Sequence, residues 1–93
     1  MTLKNEDTER LCKAILSLET VEECYDFFED VFTIKELQSV SQRLDVASLL
    51  RKKKTFSEIV EKTGASTATI SRVNKCLMYG SGGYNNVLDK LEK

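Results

Sequence analysis

The chain has 93 residues, of which 31% are charged, a net charge of −1, three cysteines, and neither histidine nor proline. Its length suits one small domain, and the absence of proline with only four glycines favours helices. Without histidine, mixed Cys/His zinc sites and Ser-His-Asp or Cys-His catalytic arrangements are excluded, so we expect no metal, no cofactor and no catalytic residue.

Apolar residues recur at intervals of three and four along most of the chain, which predicts six helices and an all-α fold. In chain order, the first helix runs from about Glu6 to Leu18, the second carries Val21 to Val31, the third begins after Thr33 and ends in Arg51–Lys54, the fourth lies between Thr55 and Gly64, the fifth runs from after Ser66 to about Met78, and the sixth covers Tyr84 to Leu91. Gly80 is the predicted C-terminal cap of the fifth helix.

Three helix starts match the capping box, in which a threonine and a glutamate three residues later bond each other's backbone N–H groups. The matches are Thr20 with Glu23, Thr33 with Glu36, and Thr55 with Glu58. Each stands directly before an apolar-periodic run, so together they fix where these helices begin.

The first two helices have broad apolar faces, which permit two interpretations. The faces comprise Leu11, Ala14, Ile15 and Leu18 on the first helix and Val21, Cys24, Tyr25, Phe28 and Val31 on the second. They form either a core within one chain or the interlocking surface of a homodimer. We favour the homodimer, because a domain of this size buries a modest share of its own surface.

Targeting and redox signals are both weak. The N-terminal residues lack the apolar stretch of a signal peptide, and no run approaches the ~18 apolar residues of a membrane span. We therefore expect residues 1–93 to form a single domain without membrane contact, in the cytoplasm. Cys12, Cys24 and Cys76 are an odd set, and we expect them to be reduced and buried.

The charges divide along the chain. Residues 1–42 carry 4 basic and 10 acidic side chains, a balance of −6, whereas residues 43–75 carry 8 basic and 3 acidic ones, a balance of +5. Residues 76–93 carry two of each sign. Such a division within a small chain indicates that the middle segment meets a polyanion.

The stretch TGASTATISRVNKCL, residues 63–77, has the pattern of a helix-turn-helix, whose second helix enters the DNA major groove. Ile59 and Val60 before the turn and Ile70 and Val73 after it are predicted to point inward. The predicted DNA-facing residues are Ser66, Thr67, Ala68, Ser71, Arg72 and Lys75, with further phosphate contacts from Ser57 and the Arg51–Lys54 run, including Lys52, Lys53 and Lys54.

Small and hydroxylated residues at the start of this helix would let backbone amides and hydroxyls approach phosphates and base edges. Taken singly, each residue has a structural explanation, since serine and threonine are common caps and a basic run often ends a helix in solvent. The combination of turn glycine, inward spacing, small outward face and positive charge favours binding of double-stranded DNA.

The segment from Phe32 to Leu77, with FTIKELQSVSQRLDVASLL and FSEIVEKTGASTATISRVNKCL, resembles the Trp repressor family. It is most similar to the YerC-like branch, in which GASTATISRVNKCLxYGxGGY recurs. The resemblance implies a six-helix Trp-repressor-like fold with a helix-turn-helix at about residues 55–78. It also implies an intertwined homodimer that binds an operator and regulates transcription, and we expect it to act as a repressor.

In tryptophan-sensing members the effector lies between the third and fifth helices. By resemblance, the pocket positions here are Thr33, Arg43 and Arg72 as matching residues, and Val73 and Cys76 as departures from the glycine and serine of that repressor. The valine adds bulk and the cysteine is a weaker hydrogen-bond partner, which argues against tryptophan. Three possibilities remain for the pocket: it is filled by Val73, it is empty, or it suits another, unidentified small-molecule effector. Without an effector, Arg72 would contact phosphate, and Arg43 would pair with Asp45 or with a partner's carboxylate.

Two alternatives stay open. The glycine-rich segment Tyr79–Tyr84 is either a cap and hinge, which we favour, or a phosphate-binding loop. The chain as a whole is either a DNA-binding regulator, our preferred hypothesis, or a helical protein-interaction module that keeps the fold without reading DNA. The acidic residues of the second helix would then contact a basic partner: Glu22, Glu23, Asp26, Glu29 and Asp30.

Overall fold

The structure, a computed structural model, describes residues 3–92, within which there are six α-helices and no strand. The helices are α1 (Glu6–Leu16), α2 (Val21–Val31), α3 (Ile34–Arg51), α4 (Phe56–Thr63), α5 (Thr67–Tyr79) and α6 (Gly83–Leu91). The predicted six-helix, all-α fold is confirmed, and predicted ends differ by one or two residues, as at α1, which ends at Leu16 instead of Leu18. Within residues 3–92 no helix has the length and apolar character needed to cross a membrane.

The helix starts follow the predicted caps with one correction. Reciprocal capping boxes form at Thr33 and Thr55, where each threonine oxygen accepts from the N–H of the glutamate three residues later. At Thr20 only half of the box forms, because the Glu23 carboxylate accepts from the N–H of Glu19 instead, at 2.8 Å. The carboxylate still satisfies a backbone donor before the helix, one residue earlier than predicted.

The cap of α4 makes a prediction about pH. The backbone N–H of Thr55, and then its hydroxyl, hold the pKa of Glu58 below its ordinary value. Because folding favours the ionised form, its contribution to the free energy of unfolding is complete above a pH of about 4.3 and disappears as the pH falls through the lowered folded value. Glu58→Gln should therefore be less stable than the wild type at pH 7, and the difference should shrink towards pH 3.

Urea unfolding at pH 7 and pH 3, followed by circular dichroism, measures this difference. The matched control is Glu61→Gln, which removes a carboxylate from the same helix at a position that makes no hydrogen bond or ion pair with residues 3–92. A difference between wild type and Glu58→Gln that stays constant with pH would show that the cap does not depend on the charge.

The chain separates into two compact units, with the boundary between Leu37 and Gln38. In the first unit, α1 and α2 contain no buried residue. Leu16 is 82% exposed, and Val21 and Tyr25 are each 66% exposed. The predicted apolar faces are covered only in part: Leu11, Ile15, Val21, Tyr25 and Val31 are exposed, while Ala14, Leu18, Cys24 and Phe28 are half-buried.

The second unit holds the core. Its buried apolar side chains are Val46, Ala47, Ile59, Ala65, Ile70, Val73 and Leu88, which come from α3, α4, α5, α6 and the turn before α5. Leu44, Leu49, Leu50, Leu77 and Tyr84 pack against them. The core therefore packs against the side of α5 that carries Ile70 and Val73.

Two expectations about burial are wrong. Val60 is exposed, because it lies one residue from Ile59 and therefore points away from the core that Ile59 fills. Cys12 and Cys76 are also exposed and Cys24 is half-buried. The three thiols are free, as the sequence indicated.

The end of α3 has a conformation that the sequence did not predict. Lys53 has φ 64°, in the left-handed region that glycine normally occupies at this position. Its N–H donates to the carbonyl of Leu50 at 3.0 Å, and the N–H of Lys54 donates to that of Leu49 at 3.1 Å. This pair of bonds is a Schellman motif, which redirects the chain from α3 towards α4.

Replacing Lys53 with glycine should stabilise the protein by up to about 1 kcal/mol, because the left-handed conformation strains any residue with a Cβ atom more than glycine's extra unfolded-state freedom costs. Lys53→Ala removes the same charge and keeps the strain, so its stability should stay close to that of the wild type. Urea unfolding of both variants compares them directly. Equal stabilities of the two variants would contradict the strain.

Candidate nucleic-acid interface

A three-residue turn joins α4 to α5. Gly64, at φ 73°, closes α4 by donating its N–H to the carbonyl of Val60 at 2.9 Å. Ala65 follows and is 2% exposed, so there is no room for a larger side chain where the two helices approach. The Thr63 hydroxyl accepts from the N–H of Ala65 at 3.1 Å, and Gln42 of α3 donates to the Thr63 carbonyl at 3.1 Å. The turn is therefore fixed both locally and from α3.

The beginning of α5 keeps backbone donors available. The Ser66 hydroxyl caps the helix by accepting from the N–H of Thr69 at 3.1 Å. Helix geometry leaves the N–H groups of Thr67 and Ala68 without a partner inside the helix. The first turn of α5 contains no acidic residue, whereas α1, α2, α3 and α4 each have at least one there. The positive end of the α5 dipole is thus not neutralised by its own side chains.

The two sides of α5 differ as predicted. Ile70 and Val73 are buried in the core. The side chains predicted to face DNA are all exposed, namely Ser66, Thr67, Ala68, Ser71, Arg72 and Lys75. Because Ala68, Ser71, Arg72 and Lys75 follow one another at intervals of one helical turn or less, they form one stripe. This stripe has a small residue at its start and cations further along.

The basic run after α3 is not uniform. Lys53 and Lys54 make no ion pair with the described residues, while Lys52 lies 4.0 Å from the carboxylate of Glu92. Arg51 is bound to Asp89 of α6, so its charge is used inside the protein. Of the cations on this run, the lysines are therefore more available to a polyanion than the arginine. Ser57, also predicted to contact phosphate, is exposed at the second position of α4.

The predicted effector residues are divided between the two units. Thr33 belongs to the first unit, where its hydroxyl and N–H are used in the capping box with Glu36. Arg72 and Cys76 lie four residues apart on an exposed face of α5, and Val73 is part of the core. Arg43 is exposed and makes no ion pair within residues 3–92.

Arg43 and Asp45 stand two residues apart on α3, a spacing that does not bring helical side chains together. The proposed pair between them is therefore wrong for this chain, and pairing with a partner's carboxylate stays a prediction. The effector pocket also stays a prediction.

Residues 3–92 contain no group of three cysteine, aspartate or glutamate side chains that could hold a metal ion. The pKa values of Glu36 and Glu58 are both lowered, in each case by the backbone N–H and then the hydroxyl of the capping threonine. These shifts arise from helix capping, so they do not mark a reactive site.

Comparison with known proteins identifies the family of this chain. The sequence model of the Trp repressor protein family matches residues 6–92, nearly the whole chain. The chain belongs to the Trp repressor family. It is 50% identical over 91 residues to the uncharacterized protein YerC of Bacillus subtilis (strain 168). The aligned region covers 98% of this chain and 88% of that protein.

Solved structures of this family agree with the fold. A TrpR-like protein from Eubacterium eligens ATCC 27750 is 57% identical and has a TM-score of 0.93, over 96% of this chain and 92% of that one. A candidate Trp repressor from Staphylococcus aureus is 46% identical with a TM-score of 0.92, over 96% of this chain and 89% of that one. The resemblance to the Trp repressor family, and to its YerC-like branch, is confirmed.

Reasoning from the sequence missed the contacts that α6 and the residue after it make with α3 and α5. Asn85, Asp89 and Glu92 bond residues of α3 and α5 that are 8 to 44 positions away. No local motif marks them, because their partners become neighbours only in the folded chain.

Proposed function

We propose that this chain is a sequence-specific DNA-binding transcriptional regulator, a repressor that acts as a homodimer on an operator. In this proposal residues 1–93 form one domain, α4 and α5 are a helix-turn-helix, and the first turns of α5 enter the major groove. Thr67, Ala68 and Ser71 face base edges, while Arg72 and Lys75 contact phosphates together with Ser57 and Lys52–Lys54.

One observation carries the proposal: the N-terminal end of α5 is exposed and built from small residues, on a helix whose opposite side is locked into the core. An acid-free first turn alone does not mark a nucleic-acid site, since α6 has one too. In α5 it coincides with short, exposed side chains. A helix that approaches a duplex needs both, because carboxylates repel phosphates and long side chains keep the backbone amides away from them.

The homodimer is supported by the first unit. Its two helices contain no buried residue and leave large apolar side chains such as Leu16 and Tyr25 in solvent. Surfaces of this kind mark an interaction site in a stable protein. A second copy would cover them and would also supply the second helix-turn-helix that a twofold operator requires.

Tryptophan is not part of the proposal. Val73 fills core space, and Cys76 offers a weak hydrogen-bonding group where tryptophan-sensing members have serine. Any effector is therefore a different small molecule, or the regulator works without one.

The deciding experiment selects duplexes from a randomised pool with the purified protein and then titrates the best sequence at several salt concentrations. We expect a motif with twofold symmetry, its half-sites about 10 base pairs apart. The logarithm of affinity should fall with the logarithm of salt concentration, with a slope of about −0.9 for each phosphate contacted. An unenriched pool together with a flat salt response would refute DNA reading and favour the protein-interaction alternative.

Variants assign the contacts. Arg72→Ala should weaken binding to every duplex and make the salt slope shallower by about 1. Arg10→Ala is its control, because it removes the same charge from an exposed position on α1 without breaking an ion pair among the described residues. Thr67→Val and Ser71→Ala should change which sequence is selected, by about 1–3 kcal/mol if they touch bases.

A further inference from the structure

Arg51 makes contacts unlike those of the lysines that follow it. Its Nη1 donates to the backbone carbonyl of Asn85 at 3.2 Å, and its Nη2 donates to the carboxylate of Asp89. Both partners lie on α6, and the Arg51 side chain is 28% exposed. A guanidinium is suited to such a double contact, since its donors are held in a rigid fork. The last turn of α3 is therefore joined to the middle of α6.

A second contact ties the same two helices at the end of α6. The Ser48 hydroxyl, on a residue 9% exposed, donates to the Glu92 carboxylate. The same carboxylate lies 4.0 Å from Nζ of Lys52. Ser48 and Arg51 are separated by nearly one turn of α3, so α6 is bonded to α3 at two different points.

α6 is also bonded to α5. The side-chain Nδ2 of Asn85 donates to the carbonyl of Leu77 at 3.2 Å. Leu77 is in the last turn of α5, where carbonyl groups have no partner within the helix. Leu88, 2% exposed, completes the contact from within the core. Asn85 thus accepts from α3 through its backbone and donates to α5 through its side chain.

We infer that Arg51, Asn85 and Asp89 form a clasp that fixes the C-terminal end of α5 relative to α3, and that they are positioning residues for the DNA-facing end of α5. This inference rests on the proposed function. α5 is held near its start by the turn at Gly64–Ser66 and near its end by Asn85, so its direction is set at both ends. In this role Arg51 contributes to the choice of sequence and contacts no phosphate.

Asp89 distinguishes a clasp from simple electrostatics by the sign of its effect. Were charge alone important, Asp89→Ala would strengthen binding to all duplexes, because it removes a carboxylate from a protein that binds a polyanion. The clasp predicts the opposite for the selected duplex. Arg51→Ala and Asp89→Ala should each lower the ratio of affinities for the selected and a scrambled duplex by about threefold or more, and the double variant should lose little beyond either one.

A readout without DNA separates this inference from the proposed function. Amide hydrogen exchange in the last turn of α5 and in α6 should be several-fold faster in Arg51→Ala and Asp89→Ala than in the wild type. Lys90→Ala, at an exposed position of α6 without an ion pair among the described residues, is the matched control and should exchange like the wild type.

The outcomes are distinct. Faster exchange with a reduced affinity ratio supports the clasp and its positioning role. Unchanged exchange and an unchanged ratio in both variants overturn the clasp, while DNA binding by the wild type stands. Faster exchange together with a wild type that binds no duplex overturns the proposed function and, with it, the positioning role.

Discussion

Ile59→Ala should destabilise the protein by about 2–5 kcal/mol, the range for removing a fully buried large aliphatic side chain. Ile59 is 0% exposed and packs in a core of seven buried apolar residues within the described chain. Its neighbours in this small core come from α3, α5, α6 and the turn before α5, and they cannot close the cavity without moving these elements against one another. The loss is a large share of the 5–15 kcal/mol typical of a folded domain.

Val60→Ala is the matched control, because it shortens the neighbouring side chain of the same helix. Val60 is 38% exposed, so its truncation should cost less than about 1 kcal/mol in the single chain. Urea unfolding of both variants should be compared at equal protein concentrations, since dimerisation raises apparent stability by mass action. Equal losses at Ile59 and Val60 that do not vary with concentration would contradict the core described above.

The same pair shows what the sequence could and could not predict. Helix starts were predictable because a capping box is a contact between residues three apart, as at Thr33 and Thr55. The inward face of α4 was not, because in a helix of eight residues Ile59 and Val60 fit the periodic pattern equally well. The pattern shows which positions are apolar, but only packing against neighbouring helices decides which of two adjacent apolar residues is buried.

α3 shows the same limit over a longer helix. Its apolar residues are distributed around much of its circumference, so the pattern does not decide which of them are covered: Val40 is 52% exposed, whereas Val46 is fully buried. The Schellman motif after α3 was missed for a different reason. Its usual signal is a glycine, and this chain has Lys53 there.

Some features of the candidate site could be predicted from the sequence and others could not. The exposure of Thr67, Ala68 and Arg72 follows from helical periodicity once Ile70 is assigned to the core. The binding of Arg51 to Asp89 does not, because the two residues are 38 positions apart. The sequence does not distinguish the four cations from Arg51 to Lys54. Only the folded chain shows that Arg51 is bound to Asp89, unlike the lysines that follow it.

Ala68→Glu should weaken DNA binding at least about 100-fold while leaving the fold intact. The substitution places a carboxylate at the exposed start of α5, where the proposed phosphates and base edges would lie, and like charges brought together at an interface cost several kcal/mol. In the free protein the same carboxylate is favourable. A negative charge in the first turn of a helix stabilises it by about 0.3–1 kcal/mol, and this turn has no acidic residue of its own.

Stability and affinity should therefore move in opposite directions, which separates loss of binding from loss of structure. Ala68→Gln adds almost the same bulk without the charge, so the ratio of affinities between the two variants isolates the electrostatic part, which should shrink as salt rises. Urea unfolding and a titration with the selected duplex measure the two quantities. An Ala68→Glu protein that binds this duplex as tightly as the wild type would show that the start of α5 does not face DNA, and the groove-reading role of this helix would have to be abandoned.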